Sequence, residues 1–148
     1  MELEQDSNIL ILVERTEHGE ILQKMIKALK MGNVEYTHGQ KGTDYRKRVL
    51  ADLKAGKIRV LIATSVLDEG VDADNINAVI YARGMESSRK LLQGIGRGLR
   101  KKKDGSGLAF YDFLDYTNEY LTNHTLTRYE TVVSEGFEIN KLDVKLEV

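Results

Sequence analysis

The chain has 148 residues, 41% of them hydrophobic and 30% charged, and it contains no cysteine. This length and balance predict one globular domain and exclude disulfides and thiolate metal sites. A formal net charge of −1 argues against a chain that is basic over its whole surface. No apolar run approaches the length of a membrane span, and the N-terminus has no signal-peptide character. The expected location is therefore cytoplasmic.

The predicted elements alternate between short apolar runs and helical patterns. In chain order they are a strand at 8–13, a helix around 21–29 with Gly32 as its expected C-cap, a strand at 34–37, a helix at about 43–54 ending at Gly56, strands at 59–64 and 77–81, a helix capped by Ser87 or Ser88, a strand at 108–113 and a helix at about 118–134. This alternation predicts an α/β domain with a central, mostly parallel sheet and helices on both faces. Residues 1–148 form one domain in this interpretation, with 114–148 as a C-terminal helix and tail extension.

Charge is distributed unevenly along the second half of the chain. Residues 83–103 contain eight bases and one acid, whereas residues 104–148 contain nine acids and three bases. The basic segment is suited to phosphates, but a solvated basic helix end has the same pattern. Charge alone leaves both interpretations open.

The most specific stretch of the sequence is 93–100, Gln-Gly-Ile-Gly-Arg-Gly-Leu-Arg. On a helix, Gln93, Arg97 and Arg100 share one stripe. Three glycines weaken a helix by about 1 kcal/mol each relative to alanine, which favours close approach of a ligand or another backbone. Guanidinium groups suit phosphate because they donate two hydrogen bonds at once. The alternative is a glycine-rich helix end with surface arginines.

A second stretch lies where the third strand ends. In an α/β sheet, ligands bind outside the carboxyl ends of the strands, and this strand brings Thr64 and Ser65 to that edge. Their hydroxyls can bond a nucleic-acid phosphate. Gly70 permits a tight turn, and Asp72 can accept a hydrogen bond from a ribose hydroxyl. Taken alone, a strand, a turn and a capping aspartate explain this stretch equally well.

Together the two stretches resemble the last two motifs of superfamily 2 helicases, the DEAD/DEAH-type motors. The final motif matches as Gln-x-x-Gly-Arg-x-x-Arg over 93–100, and the preceding motif matches at Thr64, Gly70 and Asp72. The resemblance covers about residues 9–113. It implies the second RecA-like lobe of such a motor, a three-layer domain.

The resemblance also implies roles for individual residues. Arg97 and Arg100 would act as arginine fingers on ATP held by an N-terminal RecA-like lobe, with Gln93 ordering the interface. Gly70 and Asp72 would line the nucleotide, and Mg²⁺ would belong to the first lobe. The implied contacts to the nucleic-acid backbone are Thr64, Ser65, Thr16 and Gly39.

The resemblance favours DNA over RNA as the partner. DEAD-type RNA helicases begin the final motif with His and many relatives follow its first residue with Arg, whereas this chain has Gln93 and Gly94. The segment from Leu108 to Asp115, with the polar residues after it, looks like the ending of phage recombination and DNA-repair helicases that act on branched DNA.

The sequence contains no phosphate loop of the form Gly-x-x-x-x-Gly-Lys-Ser/Thr. These 148 residues are therefore not expected to hydrolyse ATP alone. Two alternatives stay open: a stand-alone nucleic-acid-binding or regulatory module without motor activity, and a Rossmann-type enzyme that binds a mononucleotide without a partner. The three histidines lack metal-ligand spacing, so no metal site is expected.

Overall fold

A computed structural model describes residues 7–64, 76–83, 109–134 and 139–141. Within these ranges the elements are β1 (Ile9–Val13), α1 (Thr16–Ala28), β2 (Val34–Thr37), α2 (Thr43–Lys54), β3 (Val60–Ala63), β4 (Ala78–Ala82), β5 (Ala109–Asp112) and a C-terminal helix, α3 (Glu119–Ser134). Every strand lies within or one residue beyond its predicted range. The predicted helix after Ser87 or Ser88 and the predicted tail lie outside the described residues.

The five strands form one sheet in the order β2-β3-β1-β4-β5. All four pairings are parallel, and Ile9 of the central strand pairs with both Val60 and Ala78. The predicted parallel sheet is confirmed. Because the strands are parallel, their carboxyl ends meet at one edge, which we call the carboxyl edge and define by the residues that follow the strands: 14–16, 37–39, 64, 83 and 113–115.

The sheet is buried on both faces, which explains why its strands are continuous apolar runs. On one face, Val49 and Leu53 of α2 pack against alternate strand residues such as Leu61. On the other face, Leu22 and Ile26 of α1 pack against the intervening residues. Helices therefore cover both faces, as predicted, and we call the two sides the α2 face and the α1 face.

The two helix ends differ from each other in how well the sequence predicts them. Gly56 has φ +74° directly beyond the end of α2, so glycine stands where a left-handed conformation is needed. α1, in contrast, ends at Ala28, and Lys30 takes the first positive φ, +53°. Gly32, at φ +102°, lies in the loop and not at the helix cap. The C-cap is Leu29, so the prediction of Gly32 as the cap was wrong by three positions.

The apolar residues of α1 are not all buried. Leu22 and Ile26 reach the core, whereas Ile21, Met25 and Leu29 are 56%, 57% and 68% exposed. These three lie four residues apart and form a neighbouring stripe on the helix surface. The apolar pattern of α1 is thus wider than the contact that it makes with the sheet.

Gly19, in the first turns of α1, is required by the ring that packs against it. A Cβ at this position would lie 2.8 Å from the hydroxyl oxygen of Tyr36 and closer still to the ring. Tyr36 is 4% exposed and its hydroxyl donates to the Thr16 carbonyl, so the ring cannot move aside freely. Overpacking typically costs about 1–3 kcal/mol, and a Cβ this close to the ring belongs to the upper part of that range, about 2–3 kcal/mol. The gain of about 1 kcal/mol in helix propensity from alanine offsets part of this cost.

We therefore expect Gly19→Ala to lower the free energy of unfolding by about 1–2 kcal/mol, measured by urea denaturation. Gly39→Ala is the matched control, because an added Cβ there meets nothing within 4 Å. The control should stay within about 0.5 kcal/mol of the parent. Equal stability of the two variants would contradict the assigned packing.

Candidate functional site at the carboxyl edge

The structure places three of the predicted site residues, and all three lie at the carboxyl edge. Thr16 begins α1 directly after β1, Gly39 lies in the loop after β2, and Thr64 follows β3. The other predicted residues, Ser65, Gly70, Asp72, Gln93, Arg97 and Arg100, lie outside the described residues.

Thr16 is exposed, and its backbone carbonyl joins the start of α1 to β2. The Tyr36 hydroxyl donates to the Thr16 carbonyl at 3.1 Å. Burial of the phenol raises the pKa of Tyr36 above its usual value, so the hydroxyl remains a donor at neutral pH. The first turn of α1 is thereby held against β2 while the Thr16 side chain faces solvent.

Thr64 is less accessible than the prediction of a phosphate contact suggests. It is 8% exposed, and its backbone N–H donates to the Thr37 carbonyl at 3.3 Å. The Thr37 hydroxyl oxygen beside it is buried and has no hydrogen-bond partner within the described ranges. Thr64 therefore joins the β2 and β3 ends, and only a small part of it is open to a ligand.

Gly39 lies in a turn built around His38. The Lys41 N–H donates to the His38 carbonyl at 3.0 Å, and the Gln40 N–H donates to His38 Nδ1 at 3.3 Å. Gly39 is exposed and has no neighbour that an added Cβ would meet within 4 Å. Close packing inside this fold does not require a glycine here, and the open space leaves room for an approaching backbone.

A basic surface begins beside this turn and continues along α2. Residues 41–59 contain seven bases and two acids. Lys41 and Arg48 both lie over the Tyr45 ring, at 4.8 and 4.9 Å from its centroid. The Tyr45 hydroxyl donates to Glu35 at 2.9 Å, and burial together with this bond raises its pKa. The ring thus fixes two cations near the carboxyl edge.

Arg83 joins the ends of β4 and β1. Its Nε donates to the Val13 carbonyl at 3.0 Å, and its guanidinium lies 6.0 Å from the centroid of the Tyr81 ring. Burial raises the pKa of Tyr81, and the positive charges of Arg83 and Arg128 oppose that rise. Sequence analysis counted Arg83 among the bases of residues 83–103 and assigned it no contact.

Arg128 of α3 is a residue that sequence reasoning missed. It is 2% exposed, and it binds the Asp112 carboxylate through two bonds, Nε to Oδ2 at 2.8 Å and Nη2 to Oδ1 at 3.1 Å. Its guanidinium also lies 5.2 Å from the centroid of the Tyr81 ring. From the sequence, α3 was interpreted as a helix that simply packs against the domain. In the structure, a buried ion pair attaches α3 to the end of β5.

The helical pattern of α3 contained the signal for this residue. Arg128 occupies the inward stripe of the helix with Leu121, Thr125 and Val132, which are buried or half-buried. An arginine in an inward stripe needs an acidic partner, and Asp112 stands at the end of the preceding strand.

A cleft of about 430 Å³ opens at the carboxyl edge on the α1 face. Its floor contains Ile11 and Ile80 from neighbouring strands, and Leu22 of α1 forms a wall. The segment after β5 closes the opposite side with Phe113 and Asp115. The described ranges contain no group of three or more His, Cys, Asp or Glu side chains that could hold a metal ion.

Comparison with known proteins gives one family match and several similar relatives. The model of the "Helicase conserved C-terminal domain" matches residues 1–102. The probable ATP-dependent RNA helicase DDX23 of Homo sapiens is 33% identical over 106 residues, 71% of this chain and 13% of that protein. The ATP-dependent DNA helicase UvsW of Enterobacteria phage T4 is 25% identical over 150 residues, 90% of this chain and 30% of that protein.

Solved structures of related proteins have the same fold. The crystal structure of T4 UvsW aligns with a TM-score of 0.67 and 24% identity over 90% of this chain and 30% of that one. The C-terminal domain of the Saccharomyces cerevisiae DEAD-box protein Dbp5 aligns with a TM-score of 0.66 and 21% identity over 88% of this chain and 71% of that one. The chain thus spans well under two thirds of the length of the curated relatives named above. Within the described residues, no helix is long and apolar enough to cross a membrane.

Proposed function

Because the chain belongs to the helicase conserved C-terminal domain family of superfamily 2 helicases, we propose that it acts as the second motor lobe of an ATP-dependent DNA helicase or translocase. It supplies arginine fingers and nucleic-acid backbone contacts, and an N-terminal RecA-like lobe supplies the phosphate loop. Without that lobe it does not hydrolyse ATP.

The observation that carries this proposal is the extent of the family match. The match covers residues 1–102, which include Thr16, Gly39 and Thr64 at the carboxyl edge as well as the stretch from Gln93 to Arg100. One family model therefore spans the residues that we assign to the nucleic acid as well as those that we assign to ATP.

Two observations support DNA as the nucleic acid. The sequence match to the phage DNA helicase UvsW covers 90% of this chain, whereas the match to the RNA helicase DDX23 covers 71%. The final motif also begins with Gln93 and not with the His of DEAD-type RNA helicases. Several of the other relatives are described as RNA helicases, so RNA must be included in the test.

The residues present suit the ATP side of such an interface. Arg97 and Arg100 carry the planar donors that a triphosphate needs, and Gln93 precedes Arg97 by four residues in the sequence. Gly70 and Asp72 contact the nucleotide in this proposal, Mg²⁺ is held by the first lobe, and Ser65 joins Thr64 at the nucleic-acid backbone.

The test is a chimera in which this chain replaces the segment of phage T4 UvsW that it matches. ATP hydrolysis is measured for the chain alone and for the chimera, each with forked DNA, with RNA of the same sequence and with no nucleic acid. We expect no turnover by the chain alone and DNA-stimulated turnover by the chimera.

Robust hydrolysis by the 148-residue chain alone would contradict the assignment to a second lobe. Stimulation of the chimera by RNA but not by DNA would leave the motor role standing and overturn the choice of DNA. A folded chimera that binds DNA without hydrolysing ATP would favour the stand-alone binding module.

A further inference from the structure

The cleft on the α1 face lies where a nucleic-acid strand at the carboxyl edge would pass. His18, in the same first turn of α1 as Thr16, lines the cleft, and Arg83 lines it from the end of β4. The volume of the cleft, about 430 Å³, falls within the range of roughly 300–1,000 Å³ found for ligand pockets. The cleft is therefore large enough for a small planar group carried by the strand.

The lining is apolar at the bottom and has an aromatic ring exposed at its side. Ile11, which is 7% exposed, and the half-buried Ile80 lie side by side on neighbouring strands at the bottom of the cleft. Phe113, directly after β5, is 60% exposed although it lines the cleft. An apolar ring left in water is unfavourable, and a planar group seated in the cleft would cover it.

The charges of the lining favour an anionic strand on the side of α1 and β4. Arg83 provides the positive charge there. Arg128 also lines the cleft, but its charge is balanced by Asp112. Asp115 is the carboxylate among the described lining residues, and its Oδ1 already accepts from the backbone N–H and the hydroxyl of Thr117.

We infer that this cleft holds one unstacked base of the single-stranded nucleic acid that the lobe binds, with the base stacked on Phe113 and its phosphate beside Arg83. The inference rests on the proposed function, because it adds a base contact to the backbone contacts of that site. A base has an aromatic face whatever its identity, so the contact tolerates any sequence. A peptide segment would be the alternative occupant, and it would make no base-dependent contribution.

The test combines a protein variant with a change in the oligonucleotide. Binding of the full chain to a labelled single-stranded DNA is measured by fluorescence anisotropy at low salt, where backbone contacts are strongest. The same length of DNA is also made with a run of abasic sites. Phe113→Ala removes the ring, Phe113→Trp restores one, and Tyr116→Ala is the matched control, because Tyr116 is 67% exposed and does not line the cleft.

We expect Phe113→Ala and the abasic DNA each to weaken binding about tenfold, the scale of one base stacked on an aromatic ring. Together they should weaken it no further than either alone, since both remove the same contact. Phe113→Trp should retain the affinity for normal DNA, and Tyr116→Ala should bind both DNAs like the parent.

The inference is overturned if abasic and normal DNA bind the parent equally, or if the two effects multiply. In those cases the lobe still binds DNA through contacts to the sugar-phosphate backbone of the DNA, and the proposed function stands. Absence of any DNA binding at low salt would overturn the inference and the nucleic-acid part of the proposed function together. Circular dichroism of each variant verifies that the exposed substitutions leave the fold intact.

Discussion

Arg100→Ala in the UvsW chimera is expected to lower the turnover number for ATP hydrolysis by about 10³-fold or more. Arginine fingers in phosphoryl-transfer enzymes contribute on this scale because a fixed guanidinium stabilises the charge that develops in the transition state. The loss should appear in kcat and much less in KM for ATP, since the finger acts mainly after ATP is bound. Single-stranded DNA binding should remain, because Arg100 is assigned to the nucleotide.

Lys101→Ala provides the matched control for Arg100→Ala. Both residues belong to the same basic segment, so both substitutions remove one positive charge from it. If the segment acts only through general electrostatic attraction, the two variants should lose similar DNA affinity and similar activity. If Arg100 is a finger, Lys101→Ala should keep hydrolysis within a few-fold of the parent chimera.

Arg100→Lys separates charge from geometry in the same experiment. Lysine keeps the positive charge but cannot donate the planar pair of bonds that an arginine offers a phosphate. We expect Arg100→Lys to recover only a small part of the lost activity. Normal hydrolysis by Arg100→Ala would contradict the finger assignment and favour the stand-alone module, in which this arginine is redundant.

The strands could be predicted because burial on both faces leaves a direct mark on the sequence. Ile9–Val13 and Val60–Ala63 are buried at every position, so each appears as an unbroken apolar run. Helical segments between the apolar runs then predicted parallel pairing of the strands. Parallel pairing places the residues that follow each strand at one edge of the sheet. Thr64 was predicted at that edge for this reason, whereas Thr16 and Gly39 were implied by the resemblance to helicases.

The end of α1 and the contact between two strand ends could not be predicted in the same way, because they depend on distances across the fold. The C-cap of α1 is Leu29 and not Gly32, and Lys30 after it takes the left-handed conformation. Thr64 was expected to be open to a phosphate, but β2 and β3 lie close enough for its N–H to bond Thr37. Neither the end of α1 nor the bond between the strand ends leaves a local sequence pattern that would reveal it.

The ion pair of Arg128 has the largest expected effect on stability among the described contacts. Removing one member of a buried pair leaves the other charge without its partner, which typically costs about 3–5 kcal/mol. The Asp112 side chain is 22% exposed, so water compensates part of that loss. We therefore expect Arg128→Met to lower the free energy of unfolding by about 3 kcal/mol, measured by urea denaturation.

Two comparisons identify the ion pair as the cause. Arg48→Met removes an exposed arginine that lies over a tyrosine ring, and it should cost about 1 kcal/mol or less. Asp112→Asn removes the other charge of the pair. If the pair is the contact that matters, the double variant should be clearly less destabilised than the sum of the two single variants.

Hydrogen exchange shows which part of the chain loses protection in Arg128→Met. It therefore distinguishes a detached α3 from a sheet that is weakened throughout. Arg128 bonds Asp112, the Phe113 carbonyl and the Thr125 hydroxyl, so its removal should release α3 from the end of β5. Hydrogen exchange in Arg128→Met should therefore rise first across α3 and much less in β1 and β3. A loss below about 0.5 kcal/mol, the size of an exposed ion pair, would show that α3 is held to the domain by its apolar contacts and not by this arginine.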